Sequence, residues 1–159
     1  HMVSKNLLRL ESLELLNNDT RLAGETTEML LRVRWKALSD IRGVKLRMVL
    51  RFNDDSPVGI TMSEKLCDSV QGQSYENTFS FDTSCLFPGD YKANLTLYES
   101  DETGKSVYLD HINEAVFFEV AEMKNADKSV IFNHTYWGHV HLPPLVSKEP
   151  PAGGAGQSI

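Results

Sequence analysis

The stretch Phe87-Pro88-Gly89-Asp90-Tyr91-Lys92-Ala93-Asn94-Leu95-Thr96-Leu97-Tyr98 carries the signature on which the fold class turns. Pro-Gly-Asp is a turn signal, and strict alternation follows it at once. Tyr91, Ala93, Leu95 and Leu97 fall on one face; Lys92, Asn94, Thr96 and Tyr98 fall on the other. A period of two with one apolar face specifies a half-buried strand. A tyrosine just past such a bend is placed to return its hydroxyl to upstream backbone, the tyrosine corner of Greek-key sandwiches.

The same period recurs on both sides. Leu7 to Leu16 is an apolar first strand whose alternation slips near Glu11-Ser12, as a bulge would make it. After Thr26, Met29, Leu31, Val33, Trp35 and Ala37 alternate with Leu30, Arg32, Arg34 and Lys36. From Gly43, Val44, Leu46, Met48, Leu50 and Phe52 alternate with Lys45, Arg47, Val49 and Arg51. Asn53 to Pro57 is a turn cluster, Val58 to Met62 a short strand, and Glu64 to Gly72 a loop, with room for one helical turn between Met62 and Val70. Gln73 to Phe81 alternates again, and Glu99 to Gly104 is a polar hairpin loop. Ser106 to Leu109 and Ala115 to Ala121 read as two short strands flanking Asp110 to Glu114. About eight strands at this spacing, with no convincing helical period, predict an all-β antiparallel sandwich.

The chain of 159 residues suits one domain with a substantial core. Its apolar content of 41% and charged content of 24% are ordinary for a globular protein. A net charge of -6 argues against binding nucleic acid through bulk charge. No apolar run reaches the length of a membrane-spanning helix and no signal peptide opens the chain; His1-Met2 reads as a cloning remnant, so a removed leader stays open. Cys67 and Cys85 could form one bridge in principle, but reduced thiols in a cytosolic domain are the expectation. The expected boundaries are an N-terminal linker over 1–5, the sandwich over 6–145, and a disordered Pro/Gly/Ala-rich tail over 146–159. Beyond Ala121 lies an apolar, aromatic segment past the natural end of a sandwich, and such side chains are expected to dock.

Most catalytic patterns fail on inspection. Glu99-Ser100-Asp101-Glu102-Thr103-Gly104-Lys105-Ser106 approximates a phosphate-binding loop, but Glu99 stands where the first glycine is required and a strand follows. His139 and His141 would share one strand face as half a zinc site without an evident third ligand, so no metal is expected. There is no Gly-x-Ser-x-Gly elbow, and neither cysteine has the basic surroundings of a reactive thiol. Asp110 and Glu114 as an acid–base pair lack any feature that fixes their separation. Three glycosylation sequons, at Asn18, Asn94 and Asn133, matter only in a secretory setting.

One surface stands out. If the strands bearing Arg32, Arg34 and Lys36 and those bearing Lys45, Arg47 and Arg51 share a sheet with Lys92 to Tyr98, guanidinium forks, amides and an aromatic ring meet on one face. Forks and amides bond hydroxyls or phosphate, and aromatic rings stack on the apolar faces of sugars. The alternative is a solvated face whose charges suppress aggregation. The strand-face argument selects Arg34, Arg47, Asn94 and Tyr98 first, then Arg32, Arg51 and Thr96, as carbohydrate-binding residues.

Phe87-Pro88-Gly89-Asp90-Tyr91, the strand to Tyr98, Asp101 to Gly104, Asp110-His111, Ala115 to Val120 and the trailing Trp137-Gly138-His139-Val140-His141-Leu142-Pro143 occur in a familiar order. Over about Leu7 to Leu145 the chain resembles the C-terminal carbohydrate-binding domain of Wzt-type ATP-binding subunits of bacterial polysaccharide (O-antigen) ABC exporters. The resemblance implies an immunoglobulin-like or jelly-roll β-sandwich that binds the exported polysaccharide, often at a modified non-reducing end. It implies a cytoplasmic domain without cofactor, fused in its parent to an ATPase domain that works with a membrane permease. It also implies a homodimer, which members of the family can form by exchange of the C-terminal strand, with docking on its own chain as the alternative; Val130, Phe132, Tyr136, Trp137, Val140 and Leu142 are the dimerisation candidates. A sandwich that serves only structure or protein interaction, and a small glycan-modifying enzyme, are the competing readings.

Overall fold

A computed structural model describes residues 3–4, 7–17, 28–100, 103–121 and 133–149. The larger sheet has six strands. Its order is β1 (Val3–Ser4), β9 (Ser106–Val120), β8 (Gly89–Ser100), β4 (Ile41–Phe52) and β5 (Pro57–Met62), and β6 (Cys67–Ser69) also pairs with β4. The smaller sheet is β2 (Leu8–Leu15), β3 (Glu28–Ala37) and β7 (Ser74–Asp82). All pairings are antiparallel except β1 with β9. The fold is an all-β sandwich, and among the described residues a single helical turn, α1 (His134–Trp137), follows β9.

The alternation read from the sequence becomes the two inner faces. Met29, Leu31, Val33, Trp35 and Ala37 of β3 and Val44, Leu46, Met48 and Leu50 of β4 are buried, as are Tyr91, Ala93, Leu95 and Leu97 of β8. Burial of each large side chain is worth about 1.5–3 kcal/mol relative to exposure, so these positions dominate stability. Trp35 stacks on Tyr75 at 4.5 Å between centroids and donates its indole N–H to Asn77 Oδ1 at 3.1 Å. The β2 bulge falls where expected, between Leu10 and Ser12. There the Leu10 N–H donates to Asp110 Oδ2 of β9 at 2.8 Å, which ties the two sheets together at one side.

The tyrosine corner is formed. Tyr91 donates its hydroxyl to the Phe87 carbonyl at 2.5 Å. Burial pushes that hydroxyl's pKa far up, so it stays a donor at any ordinary pH. Gly89 has φ +151, and a Cβ there would lie 2.7 Å from Phe52 Cε1, so glycine is what lets the chain turn against that ring.

Four expectations are corrected. Ser106 to Val120 is one strand, not two short ones; paired β9 residues resume after bulges opposite Asn94 and at Leu97/Tyr98. The Glu64–Gly72 loop holds strand β6 in place of a helical turn, because its backbone pairs with β4 at Ile41 and Val44. β3 and β4 lie in different sheets. The expected C-terminal strand is a helical turn followed by one antiparallel bridge, Val140 with Leu86. Cys67 and Cys85 are free thiols, and burial raises the Cys67 pKa. Val130, Phe132 and most of the expected disordered tail (150–159) lie outside the described residues. Among the described residues no helix is long and apolar enough to cross a membrane.

Tyr91→Phe is expected to lower unfolding free energy by about 1 kcal/mol, because the Phe87 carbonyl loses its donor while the ring still fills the core. Urea denaturation followed by tryptophan fluorescence measures this.

Candidate binding face

The outer face of the larger sheet is set by register. Opposite β8, the β4 pairs are Lys45 with Tyr98, Arg47 with Thr96, Val49 with Asn94, and Arg51 with Lys92. On the other side of β8, Tyr108 pairs with Tyr98, His111 with Thr96 and Phe117 with Lys92. Paired residues in a ladder point to the same face. Arg47, Arg51, Asn94, Thr96 and Tyr98 therefore lie on one face.

Their environments differ. Thr96 and Tyr98 are buried at 2% and 5% exposure although they lie on the outer face. The Arg47 guanidinium sits over the Tyr108 ring at 5.0 Å and the Tyr98 ring at 5.7 Å, and it donates to the Tyr108 hydroxyl. Tyr108 in turn stacks on His111, with centroids 5.9 Å apart. Thr96 Oγ1 lies 2.6 Å from His111 Nδ1, and His111 Nε2 lies 2.7 Å from Asn113 Oδ1. Arg47, Tyr108, His111 and Asn113 thus make one connected row, with Tyr98 and Thr96 as its floor.

Asn94 does a different job. Its Oδ1 accepts from the Glu114 N–H at 2.7 Å, and Glu114 holds φ +49 at the β9 bulge. A non-glycine residue there is strained, and the amide bond fixes it. Lys92, its side chain 12% exposed, reaches Asp55 at 2.5 Å and Glu114 at 3.1 Å. These two carboxylates raise its pKa through hydrogen bonds and charge. Arg51 donates to the Asp55 carbonyl at 3.0 Å, so it braces a turn.

Arg32 and Arg34 do not join this face. They belong to β3 in the other sheet, and their side chains are paired there. Arg34 Nε donates to Glu76 Oε1 at 2.7 Å, and Arg32 bridges Glu14 at 3.4 Å and Glu76 at 3.5 Å. The Arg34 hydrogen bond holds Glu76 below the usual carboxylate range. Tyr108, His111 and Asn113 were missed because two bulges break the alternation of β9, which removes the period that marks a strand face.

The C-terminal segment docks at the other end of the sandwich. Phe52 stacks on His134 at 4.1 Å and on His139 at 4.6 Å. The Phe87 N–H donates to the His139 carbonyl at 2.9 Å, and the His141 N–H donates to the Cys85 carbonyl at 2.9 Å. Val140 is partly buried, while Tyr136, Trp137 and Leu142 are exposed. Ser56, His139 and His134 stand in the order of a nucleophile, base and orienting group. Ser56 is nevertheless tied through its hydroxyl (2.5 Å) and its N–H (3.0 Å) to Asp54, so the cluster reads as packing.

A family model described as the Wzt C-terminal domain matches residues 5–133, most of the chain. The chain belongs to the Wzt C-terminal domain family. The match to this Wzt-type domain stops where α1 begins, so the docked segment from His134 lies beyond it. A solved structure described as the C-terminal domain of wzt aligns with a TM-score of 0.64 at 13% identity, over 91% of this chain and 86% of that one, which shows a shared fold. A β-glucosidase 3B from Thermotoga neapolitana in complex with glucose aligns at TM-score 0.41 and 11% identity, over 72% of this chain and 16% of that one. A putative ApaA protein from Bordetella pertussis gives 0.37 at 10%, over 78% and 99%. At those scores neither likeness carries an argument. No curated protein matches.

Asn94→Ala is expected to cost about 1 kcal/mol, because it leaves the Glu114 N–H without its acceptor. Loss of protection at that amide in hydrogen exchange, together with a lower urea midpoint, checks it.

Proposed function

We propose that this Wzt-type domain binds the polysaccharide cargo of an ABC exporter on the outer face of its larger sheet, without catalysing a reaction on it. The observation that carries the reading is the connected row Arg47–Tyr108–His111–Asn113 over a floor of Tyr98 and Thr96. A guanidinium held against rings has little side-chain entropy left to lose. Tyr108 and His111 offer ring faces and polar edges to a sugar, and Asn113 offers an amide. Exposed Met62 and Ile60, paired with Arg47 and Val49, and exposed Phe117, paired with Lys92, add apolar surface on which the C–H face of a sugar can rest.

In this reading Tyr98, Thr96, Asn94 and Arg51 position the site, while Arg47, Tyr108, His111 and Asn113 touch the glycan. The domain works at the cytoplasmic side of the inner membrane, fused to an ATPase domain that drives a permease. It forms a homodimer by exchange, in which the C-terminal segment takes on the partner the seat it has on its own Phe52 in the single chain, and exposed Tyr136, Trp137 and Leu142 supply apolar area between subunits. Two sites per dimer raise the effective concentration of a repeating glycan.

Calorimetry with the native polysaccharide is expected to show binding that Arg47→Ala and Tyr108→Ala each weaken at least about tenfold, equivalent to about 1.4 kcal/mol. Arg34→Ala, on the opposite sheet, is expected to change nothing. No heat with the matched polysaccharide, or equal losses from Arg34→Ala, refutes the site. Removal of residues from Val130 onward is expected to give monomers in sedimentation velocity; a dimer that survives removal refutes the exchange.

A further inference from the structure

The segment beyond the family match is held by an unusual chain of contacts. His134 Nε2 lies 2.7 Å from the Pro88 carbonyl. His134 Nδ1 lies 2.9 Å from His139 Nδ1. His139 Nε2 lies 2.7 Å from Ser56 Oγ, which reaches Asp54 Oδ1 at 2.5 Å. Both imidazoles are stacked on Phe52, so neither ring can swing away while the segment is docked.

Proton counting constrains this chain. A carbonyl only accepts, so His134 Nε2 carries a hydrogen. The contact between the two Nδ1 atoms needs one hydrogen and has room for only one. The Ser56 hydroxyl donates to Asp54 Oδ1, which can only accept, so His139 Nε2 donates to Ser56 Oγ. The docked pair therefore holds three hydrogens on its four ring nitrogens. A fourth cannot be placed, because two N–H groups would then point at each other across 2.9 Å.

We infer that the segment from Asn133 to His141 is a proton-released latch, docked on Phe52 and Pro88 at neutral pH and let go on acidification through its His134–His139 pair. The undocked segment has no such limit, and each free imidazole takes a proton near pH 6.5. Docking therefore excludes at least one proton that the free segment binds. The sign follows from linkage: the state that binds more protons gains as pH falls. The contact weakens progressively as pH falls below about 6.5, where the free segment takes the further proton that the docked pair has no place for.

The groups around the pair agree with this direction. Burial and the neighbouring His134 both hold the His139 pKa below its ordinary value, and Asp54 opposes them. Asp55, on the same turn, is engaged by Lys92 of β8, and Arg51 of β4 reaches the Asp55 carbonyl. The Tyr91 hydroxyl is held by Phe87 and lies 3.3 Å from the His139 carbonyl. Cys85 meets the segment through its carbonyl, and Asp90 receives the Asn53 N–H through its own. His141 places Nε2 on the Ser84 carbonyl at 2.5 Å, which leaves its Nδ1 able to accept a proton without breaking that bond. The latch does not depend on glycan binding, since its residues lie at the corner of the sandwich and not in the Arg47 row.

The test is hydrogen exchange of the Phe87 and His141 amides in the whole chain, corrected for intrinsic rates. These two N–H groups bond across the seam between segment and sandwich, whichever subunit supplies the segment. Protection at both is expected to fall about tenfold per pH unit below about pH 6, while Leu95 in the core stays protected. His134→Gln keeps a donor for Pro88 and an acceptor for His139 but cannot be protonated. It is expected to retain protection at pH 7.5 and to flatten the pH dependence. His141→Gln is expected to leave the dependence intact. Protection that is constant from pH 7.5 to 5.5, or a slope unchanged in His134→Gln and equally lost in His141→Gln, overturns the latch. If His134→Gln fails to dock at pH 7.5, ring-proton titration of the unaltered protein decides. Two ordinary values near 6.5 for His134 and His139 refute it, and at least one value displaced downward supports it.

Discussion

The bond from the Tyr91 hydroxyl to the Phe87 carbonyl sets the entry of the chain into β8, the strand on which most of the structure hangs. β8 pairs with β4 on one side and β9 on the other, so its register places every residue of the outer face. The inner face of the same strand fills the core with Tyr91, Ala93, Leu95 and Leu97. A slip of one residue would turn these into solvent and drive Lys92 and Asn94 inward, which makes the corner a constraint on both faces at once. Gly89 and Phe52 complete it, since the ring lies where any other side chain at position 89 would begin. Phe52 then serves as the seat for His134 and His139, so the corner and the C-terminal dock are one packed unit.

The two outer faces carry similar cations and use them differently. On β3 each arginine has a glutamate in reach on a neighbouring strand, and exposed pairs of this kind contribute little beyond local neutrality. On β4 Arg47 faces aromatic rings. A guanidinium against a ring keeps its charge and is held in place by the ring's negative face. Irregularity in β9 makes this possible. Its bulges bring Tyr108 and His111 together beside Arg47 and leave Glu114 in a strained conformation that Asn94 stabilises. Bulges beside a site re-aim side chains in this way in many sandwiches, and their cost is borne by polar bonds such as those of Asn94 and Asp110.

The strands and their buried faces were legible from the order of residues alone, because a period of two is a local property that each strand carries in full. Met29 to Ala37, Val44 to Leu50 and Tyr91 to Leu97 are buried as the alternation requires, and the Pro-Gly-x-Tyr sequence announced its own corner. The slip at Glu11-Ser12 announced the β2 bulge. Which strands share a sheet was not legible, since β3 and β4 have the same alternation and the same arginines, and partnership depends on backbone bonds between distant segments. That decision alone removed Arg32 and Arg34 from the face that holds Arg47.

Tertiary structure also decided which residues surround Arg47 and the fate of the aromatic segment. Tyr108, His111 and Asn113 acquire their positions from bulges, which abolish the period that would have marked them. The segment after Asn133 showed apolar character without a strong period, enough to demand a docking place and too little to name one. It forms a helical turn and one bridge because Phe52, Leu86 and Pro88 offer a ring, a bridging partner and a carbonyl. Side-chain pattern determines which face of an element is buried; the choice among possible partners for that face is made only when distant parts of the chain compete for the same backbone groups and the same space.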